Sequence, residues 1–525
     1  MAVGITVFDG ASTIGGNKIY LEFKNGEFNN KGLFFDFGTN FATYGNYYEE
    51  FLIPRPGRGI HDMLTLGLIP NISCYRKDLI TSDASLGELK TIDPLAILVS
   101  HAHMDHIGNI GLLDGKIPVI ASPMTVAIMK AMQDCGGKME AEASYITKRI
   151  PIPDETRLIE ATHYRKNPFE GRDICLTCAC SNTTEFQTFW DFQPMSRALI
   201  PGKIKELSAF PGPEIKAFDV DHSIYGACAY AINSDAGWIV YSGDVRKHGV
   251  QADKTKTFVE DAKKLSPKLL IIEGTRVSRK GSGDDKEITE EDVLKQCLDA
   301  TKNSKNLVIA DFSARNFERL DMFRAIAQEA GRKLVITLKD AYILHAMKNV
   351  DGIDRLKDIC IYKDLKVSRE GYEKMIMENY PGKLLDPSDI RKKPEQYICC
   401  FSFFDIKNML DIKTTNGTYI YSSSEAHGEE QKIDFVRLKN WLTKFNFKIK
   451  GFHVEIGENK SVTVIPEKNY HASGHASASD ILEIINQINP EIVMPIHTEA
   501  PDFFKEKISG RELIIPEKGR EYVIK

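Results

Sequence analysis

The chain has 525 residues, too many for one ordinary domain, and its 42% hydrophobic and 27% charged residues are the balance of a folded globular protein. No apolar run of about 18 residues occurs, so no membrane-spanning helix is expected, and residues 1–10 lack the basic segment and apolar run of a secretory leader. A net charge of −5 argues against a uniformly basic coat, while a local basic groove would still suffice for a polyanion.

From the start to about residue 36 the chain reads as two or three strands. Gly10 to Asn17 is a glycine turn between apolar segments. Lys18 to Phe23 alternates as a strand does, and Gly32 to Phe35 runs into Asp36. An aspartate at a strand end before glycine can orient a metal-binding histidine. Residues 39–93 form a long aromatic, partly helical excursion, too apolar for a linker. It is expected either to cover an edge of the site or to make a subunit contact.

The apolar run Leu95 to Val99 then opens onto Ser100-His101-Ala102-His103-Met104-Asp105-His106-Ile107-Gly108. Three histidines and an aspartate within six positions suit zinc or a similar divalent ion. In an extended chain His101 and His103 point the same way and can reach one ion. Asp105 and His106, beyond the turn, can reach a second, and Gly108 lets the backbone bend close. A histidine-rich surface loop is the competing interpretation.

Further on, Ile117 to Ala121 reads as a strand and Pro123 to about Met132 as a helix. Residues 135–215 show no readable periodicity. Cys175, Cys178 and Cys180 offer three legs of a zinc site but no fourth, so free thiols are expected and metal binding is left open. His222 follows an alternating strand, Asp244 ends the strand Gly237 to Ser242, Glu273 ends Lys268 to Ile272, and His497 ends Glu491 to Ile496. With Asp36 and His101, that makes five strands closing on a ligand or an acid (Asp36, His101, Asp244, Glu273, His497), which points to one shared site.

Between Glu273 and His497 the texture changes. Ser278 to Glu290 reads as a polar linker. Strands at 306–310, 333–337, 397–401 and 418–421 alternate with helices, one of them capped by Ser313 and closed by Gly331. This predicts a small parallel α/β domain over roughly 280–455, set inside the first domain because His497 must return to the metal site. The segment Tyr470-His471-Ala472-Ser473-Gly474-His475-Ala476-Ser477 then precedes a helix with Ile481, Leu482, Ile485 and Ile488 on one face. Histidines, hydroxyls and a glycine at a helix start suit a phosphate.

With these stretches in view, the chain resembles the β-CASP metallo-β-lactamase nucleases over nearly its whole length, and most closely the ribonuclease J group. Asp36, the His101–His106 cluster, His222 and Asp244 match the first four motifs, and Glu273, His475 and His497 the β-CASP motifs. The resemblance implies a metallo-β-lactamase αββα sandwich (1–279 and 456–525) with an inserted β-CASP α/β domain (280–455). It implies two zinc ions, with manganese or magnesium as substitutes. His101, His103 and His222 would hold one ion, Asp105, His106 and His497 the other, and Asp244 would bridge. Asp36 would support them from behind.

The implied activity is hydrolysis of single-stranded RNA, 5′→3′ and also internally. His475, oriented by Glu273, would act as the acid, and His471, Ser473, Gly474, His475 and Ala476 would grip a phosphate. A histidine at position 497 fits the RNA-processing members. Arg276, Arg315, Arg319 and the run Arg391-Lys392-Lys393 are candidates for backbone contacts, each weighed against being ordinary surface charge. A DNA nuclease, a small-molecule ester or lactone hydrolase, and a non-catalytic RNA-binding or scaffolding subunit are the alternatives, the last disfavoured because none of the seven ligands is missing. Two departures stand out: Thr498-Glu499 replaces the usual Gly-Glu, and only 28 residues follow His497, as in the shorter archaeal-type members. A cytoplasmic homodimer without membrane contact is expected.

Overall fold

The computed structural model describes the chain apart from residues 1, 50, 85–88, 164, 278–287, 314, 424–434 and 457–461. Most of the stretch expected to be a linker therefore lies outside the described residues, and Glu290 already begins the helix Glu290–Lys302. Two sheets lie face to face. The first has eight strands in the order Ile204–Glu206, Ile174–Leu176, Val119–Ala121, Pro94–Leu98, Gly32–Phe35, Lys18–Phe23, Val3–Asp9 and Glu521–Ile524. The second has six: Ile215–Asp219, Cys228–Ser234, Gly237–Tyr241, Leu269–Glu273, Ile492–Ile496 and Glu512–Leu513.

Strand alternation explains the stacking. Val3, Ile5 and Val7 point into the gap between the sheets, where they meet Tyr230, Ile239, Ile271 and Met494. On the far side of the six-stranded sheet, Leu270 and Ile272 pack under the helices Ala252–Lys264 and Ala478–Ile488. In that second helix Ile481, Ile484, Ile485 and Ile488 are buried, so Ile484 rather than Leu482 completes the apolar face. The helix Pro123–Asp134 covers the other sheet, which gives the αββα sandwich.

The stretch between Glu273 and Ile492 leaves the six-stranded sheet and returns to it. Leu269–Glu273 and Ile492–Ile496 are parallel neighbours, with Glu273 opposite Ile496. In between, seven parallel strands form a third sheet in the order Leu384–Leu385, Ile359–Tyr362, Lys333–Ile336, Tyr397–Cys400, Val308–Asp311, Thr418–Tyr421 and Lys448–Lys450. This is the inserted β-CASP α/β fold. Its helix Phe317–Glu329 is capped by Asn316, whose side chain accepts from the Arg319 amide at 3.0 Å, and not by Ser313. Residues 145–200 hold strands of two to seven residues, too short to leave a period in the sequence.

Candidate metal centre

Five strand ends converge as the sequence predicts. His101 follows Pro94–Leu98, Asp36 follows Gly32–Phe35, Asp244 follows Gly237–Tyr241, Glu273 ends its strand, and His497 follows Ile492–Ile496. His222 comes from the loop between Ile215–Asp219 and Cys228–Ser234. The donor atoms of His101, His103 and His222 lie within 4.8 Å of one another, and those of Asp105, His106, Asp244 and His497 form a second such group.

Asp244 Oδ2 ties the two groups together. It lies 3.1 Å from His106 Nε2, 3.7 Å from His101 Nε2, and 3.9 Å from both His222 Nε2 and His497 Nε2. A third group, Asp244, Glu273 and His475, adjoins them.

The donor set fits cations. His103 Nδ1 sits 3.0 Å from His101 Nε2 and 3.2 Å from His222 Nε2, so three imidazole nitrogens face one another without a carboxylate among them. Asp244 Oδ1 is buried with no hydrogen-bond partner, and His106 Nε2 has carboxylate oxygens at 3.1 and 3.4 Å but makes no well-directed hydrogen bond, a costly state that a metal ion relieves. Burial, together with neighbouring rings, holds His101 and His103 well below the usual histidine range, and burial brings His222 down to about 4. These rings are therefore neutral, the ligating form. His106 and His497 go the other way: burial lowers both, but the surrounding carboxylates prevail and hold His497 at about 9.

Three of the rings, His106, His222 and His497, are held from behind, as ligating histidines are. His106 Nδ1 donates to Asp36 Oδ2 at 2.7 Å. The same carboxylate accepts from the Ser100 amide and hydroxyl, both at 2.7 Å, and from Tyr241 OH at 2.6 Å. His222 Nδ1 donates to the Gly474 carbonyl at 2.6 Å, and His497 Nδ1 meets Thr275 Oγ1 at 2.8 Å. Thr275 in turn donates to Glu273 at 2.5 Å.

The sequence alone assigns no role to Ser100, Tyr241 or Thr275. Ser100 and Thr275 each stand within two residues of a predicted site residue at a strand end, which is the only signal they leave. Asp36 and His497 both adopt left-handed backbone, at φ 56° and 52°, rare for residues with a side chain and concentrated at functional sites. Gly38 is required by contact: a Cβ there would stand 1.7 Å from the Asp105 carbonyl oxygen.

His475 Nδ1 lies 3.0 Å from Glu273 Oε2 and 3.2 Å from Oε1, and this carboxylate outweighs burial to raise the histidine. The loop before it is pinned to the same centre. The Ala476 amide donates to the Val245 carbonyl at 2.7 Å, and a Cβ on Gly474 would come within 3.1 Å of Ser223 Oγ.

Some expectations change here. Both ring nitrogens of His471 are taken by backbone carbonyls, of Ser423 at 2.8 Å and Gly451 at 2.6 Å, so the ring anchors the loop instead of gripping a phosphate. The N-terminus of helix Ala478–Ile488 is closed by a capping box between Ser477 and Asp480. An anion therefore has the loop amides and the Ser473 hydroxyl to turn to, and not the helix end. Arg319 is fully buried among Glu290, Ser422 and Tyr470, which removes it from any RNA surface.

Arg276 donates to the His475 carbonyl at 3.2 Å, and Arg391 is tied to the carbonyls of Ile412 and Asp411. Arg315 stands at a mostly apolar cavity of about 420 Å³ beside Met104, Ile107 and Gly108. The ten cysteines are all free, and Cys175, Cys178 and Cys180 join no metal-type cluster among the described residues.

Fold and donor set together define a metallo-hydrolase of the metallo-β-lactamase/β-CASP type. Residues 462–516 match the family described as the Zn-dependent metallo-hydrolase RNA specificity domain. Ribonuclease J of Sinorhizobium meliloti is 21% identical over 92% of this chain and 71% of its own length. Ribonuclease J of Methanocaldococcus jannaschii is 21% identical over 83% of this chain and 82% of its own. A solved structure of a protein of unknown function from Enterococcus faecalis V583 shares the fold, with a TM-score of 0.66 at 22% identity over 100% of both chains. Over most of its length the chain is similar to ribonuclease J-like β-CASP proteins. No described helix is long and apolar enough to cross a membrane.

Proposed function

We propose that this protein is a metal-dependent ribonuclease that hydrolyses phosphodiester bonds of single-stranded RNA, working 5′→3′ from a monophosphorylated end and also cutting internally. One observation carries the reading: Asp244 Oδ2 faces donors of two separate clusters while Glu273 and His475 complete a third group beside it. His101, His103 and His222 would hold one zinc ion, Asp105, His106 and His497 the other, and Asp244 both. When bound, such a pair activates water and offsets charge on the scissile phosphate.

The chain's own residues do the rest. Asp36, Ser100, Tyr241 and Thr275 fix the imidazoles so that their free nitrogens converge. Glu273 holds His475 through Nδ1, which leaves Nε2, without a hydrogen bond among the described residues, to hand a proton to the departing 3′ oxygen. Ser473 and Gly474 would take the phosphate at the 5′ side, with His471 anchoring their loop and Ala476, whose amide is bonded to the Val245 carbonyl, pinning it to the centre. The apolar cavity beside Met104 has the size of a site for a base. The inserted domain spans about 280–455, and the protein works as a homodimer in the cytoplasm, where its free thiols stay reduced.

The test uses one 5′-monophosphorylated single-stranded RNA, labelled at either end in separate reactions, with zinc- or manganese-supplied protein. A His101→Ala variant and a DNA of matched sequence are the controls. Immediate release of mononucleotide from the 5′ label, absent in the variant, is the expected result. Internal fragments alone would shift the reading to an endonuclease, and an intact RNA would overturn it.

A further inference from the structure

Arg246 lies two residues beyond Asp244, and Arg319 lies on the first turn of Phe317–Glu329. Both are fully buried. An arginine keeps its charge at any depth, so each must be surrounded by acceptors. Arg246 bonds Asp221 Oδ1 at 3.2 Å, Glu290 Oε1 at 3.4 Å, the His222 carbonyl at 3.4 Å, and Glu318. Arg319 bonds both oxygens of Glu290, at 3.2 and 2.9 Å, the Ser422 hydroxyl at 2.6 Å, and the Tyr470 carbonyl at 3.4 Å. Among the described residues, Glu290 is the one side chain hydrogen-bonded to both arginines, while Glu318, bonded to Arg246, directly precedes Arg319 in the chain.

The chain of contacts has two functional ends. Asp221 and the His222 carbonyl belong to the loop that supplies a donor to the metal centre. Ser422 and Tyr470 lead into the His471–His475 loop: Ser422 Oγ donates to the Tyr470 carbonyl at 2.8 Å, and the His471 ring is tied to the Ser423 carbonyl. The relay leaves the sandwich at Arg246, crosses Glu290 and Arg319 on two helices of the inserted domain, and returns at Tyr470. Buried ion pairs of this kind add little net stability over apolar packing, because desolvation cancels much of the attraction. What they add is fixed geometry.

We propose that Glu290 is a positioning residue that sets the distance between the donor cluster and the Tyr470–His475 loop, and with it the place along an RNA strand where the cut falls. The second half of that role rests on the ribonuclease reading above. In Glu290→Gln the amide oxygen at the Oε1 position still reaches both arginines, but the NH2 at the Oε2 position faces the Arg319 Nη2 donor and the negative charge between two buried guanidinium groups is gone, so the relay is weakened at its midpoint.

Two measurements test this. In metal-free protein, amides of residues 469–477 should exchange roughly tenfold faster in Glu290→Gln than in the wild type, with residues 100–108 unchanged. On 5′-labelled RNA the variant should hold as much zinc as the wild type yet release a spread of short products, with kcat lowered about tenfold by misplacement. Arg319→Lys, which keeps the charge but loses the planar fork, should act the same way and serves where Glu290→Gln folds poorly. Tyr225→Phe is the control: it removes a 2.8 Å bond to Asp321 across the same boundary without touching the relay, and should leave product lengths alone. Unchanged loop exchange and product lengths in both relay variants would overturn the role, as would the same product spread from Tyr225→Phe. If wild-type protein left RNA whole, the ribonuclease reading would fall, and loop exchange alone would decide whether Glu290 positions the loop.

Discussion

Asp36→Asn is the sharpest probe of how the centre is supported. The carboxylate accepts four bonds within 2.6–2.7 Å: two from Ser100, one from His106 Nδ1 and one from Tyr241 OH. Three of them fall on Oδ2, so the least damaging orientation of an asparagine keeps its oxygen there and turns its NH2 toward the Ser100 amide. Two buried N–H groups then face each other without acceptors, at roughly 1–3 kcal/mol each. The loss of a supporting carboxylate behind a ligating histidine costs about 10–100-fold in metal affinity. The expected result is a protein that folds but is less stable in urea by about 2–6 kcal/mol, and binds zinc at least tenfold more weakly in competition with a chromophoric chelator. A variant with wild-type urea midpoint and wild-type zinc affinity would refute the claim that Asp36 fixes His106.

Three further outcomes are expected. Glu273→Gln should lower kcat by about 10²–10⁴ with zinc content retained, because it removes the group that orients His475; zinc analysis beside single-turnover rates checks it. Gly38→Ala should fail to fold or fold without metal, since its Cβ would lie 1.7 Å from the Asp105 carbonyl oxygen and backbone must move; circular dichroism and zinc content decide. Asp311, buried against Tyr419, is pushed up by burial to about 7. The folded state therefore holds a proton that the unfolded chain releases near pH 4, so this contribution is full below that pH and is lost as pH rises through 7. Relative to Asp311→Asn, the wild type should lose about 3 kcal/mol between pH 5 and 8, as read from urea titrations.

The ligands were legible because each follows a short apolar run, and a strand end is a local feature. Neither His471 nor Arg319 could be placed that way. His471 is defined by carbonyls 20 and 48 positions away. Arg319 looks like the polar face of a helix until Glu290, 29 positions back, closes over it. Ser313 and Asn316 are both good caps three positions apart, and only the backbone path chooses between them. Thr275 and Tyr241 read as an ordinary turn residue and an ordinary strand residue. What makes them part of the site is which partner the fold brings opposite.

One packing feature bears on how substrate can enter. A single apolar cluster runs from Val126 and Ile128 of the sandwich, through Phe189 and Trp190, to Ile343, Met347 and Ile361 of the inserted fold. Tyr342 OH crosses the same boundary to Asp134 at 2.6 Å. Domains hinge readily where their interface is small and polar, and an interface built as shared core resists it. Both donor clusters stand at strand ends of the sandwich, so the inserted fold need not move to assemble them. They are held at one spacing before substrate arrives, with left-handed backbone at Asp36 and His497 maintained by the surrounding packing. In such a molecule accuracy rests on fixed distances, and a buried relay joining the His222 loop to the Tyr470 loop is the kind of part that keeps them.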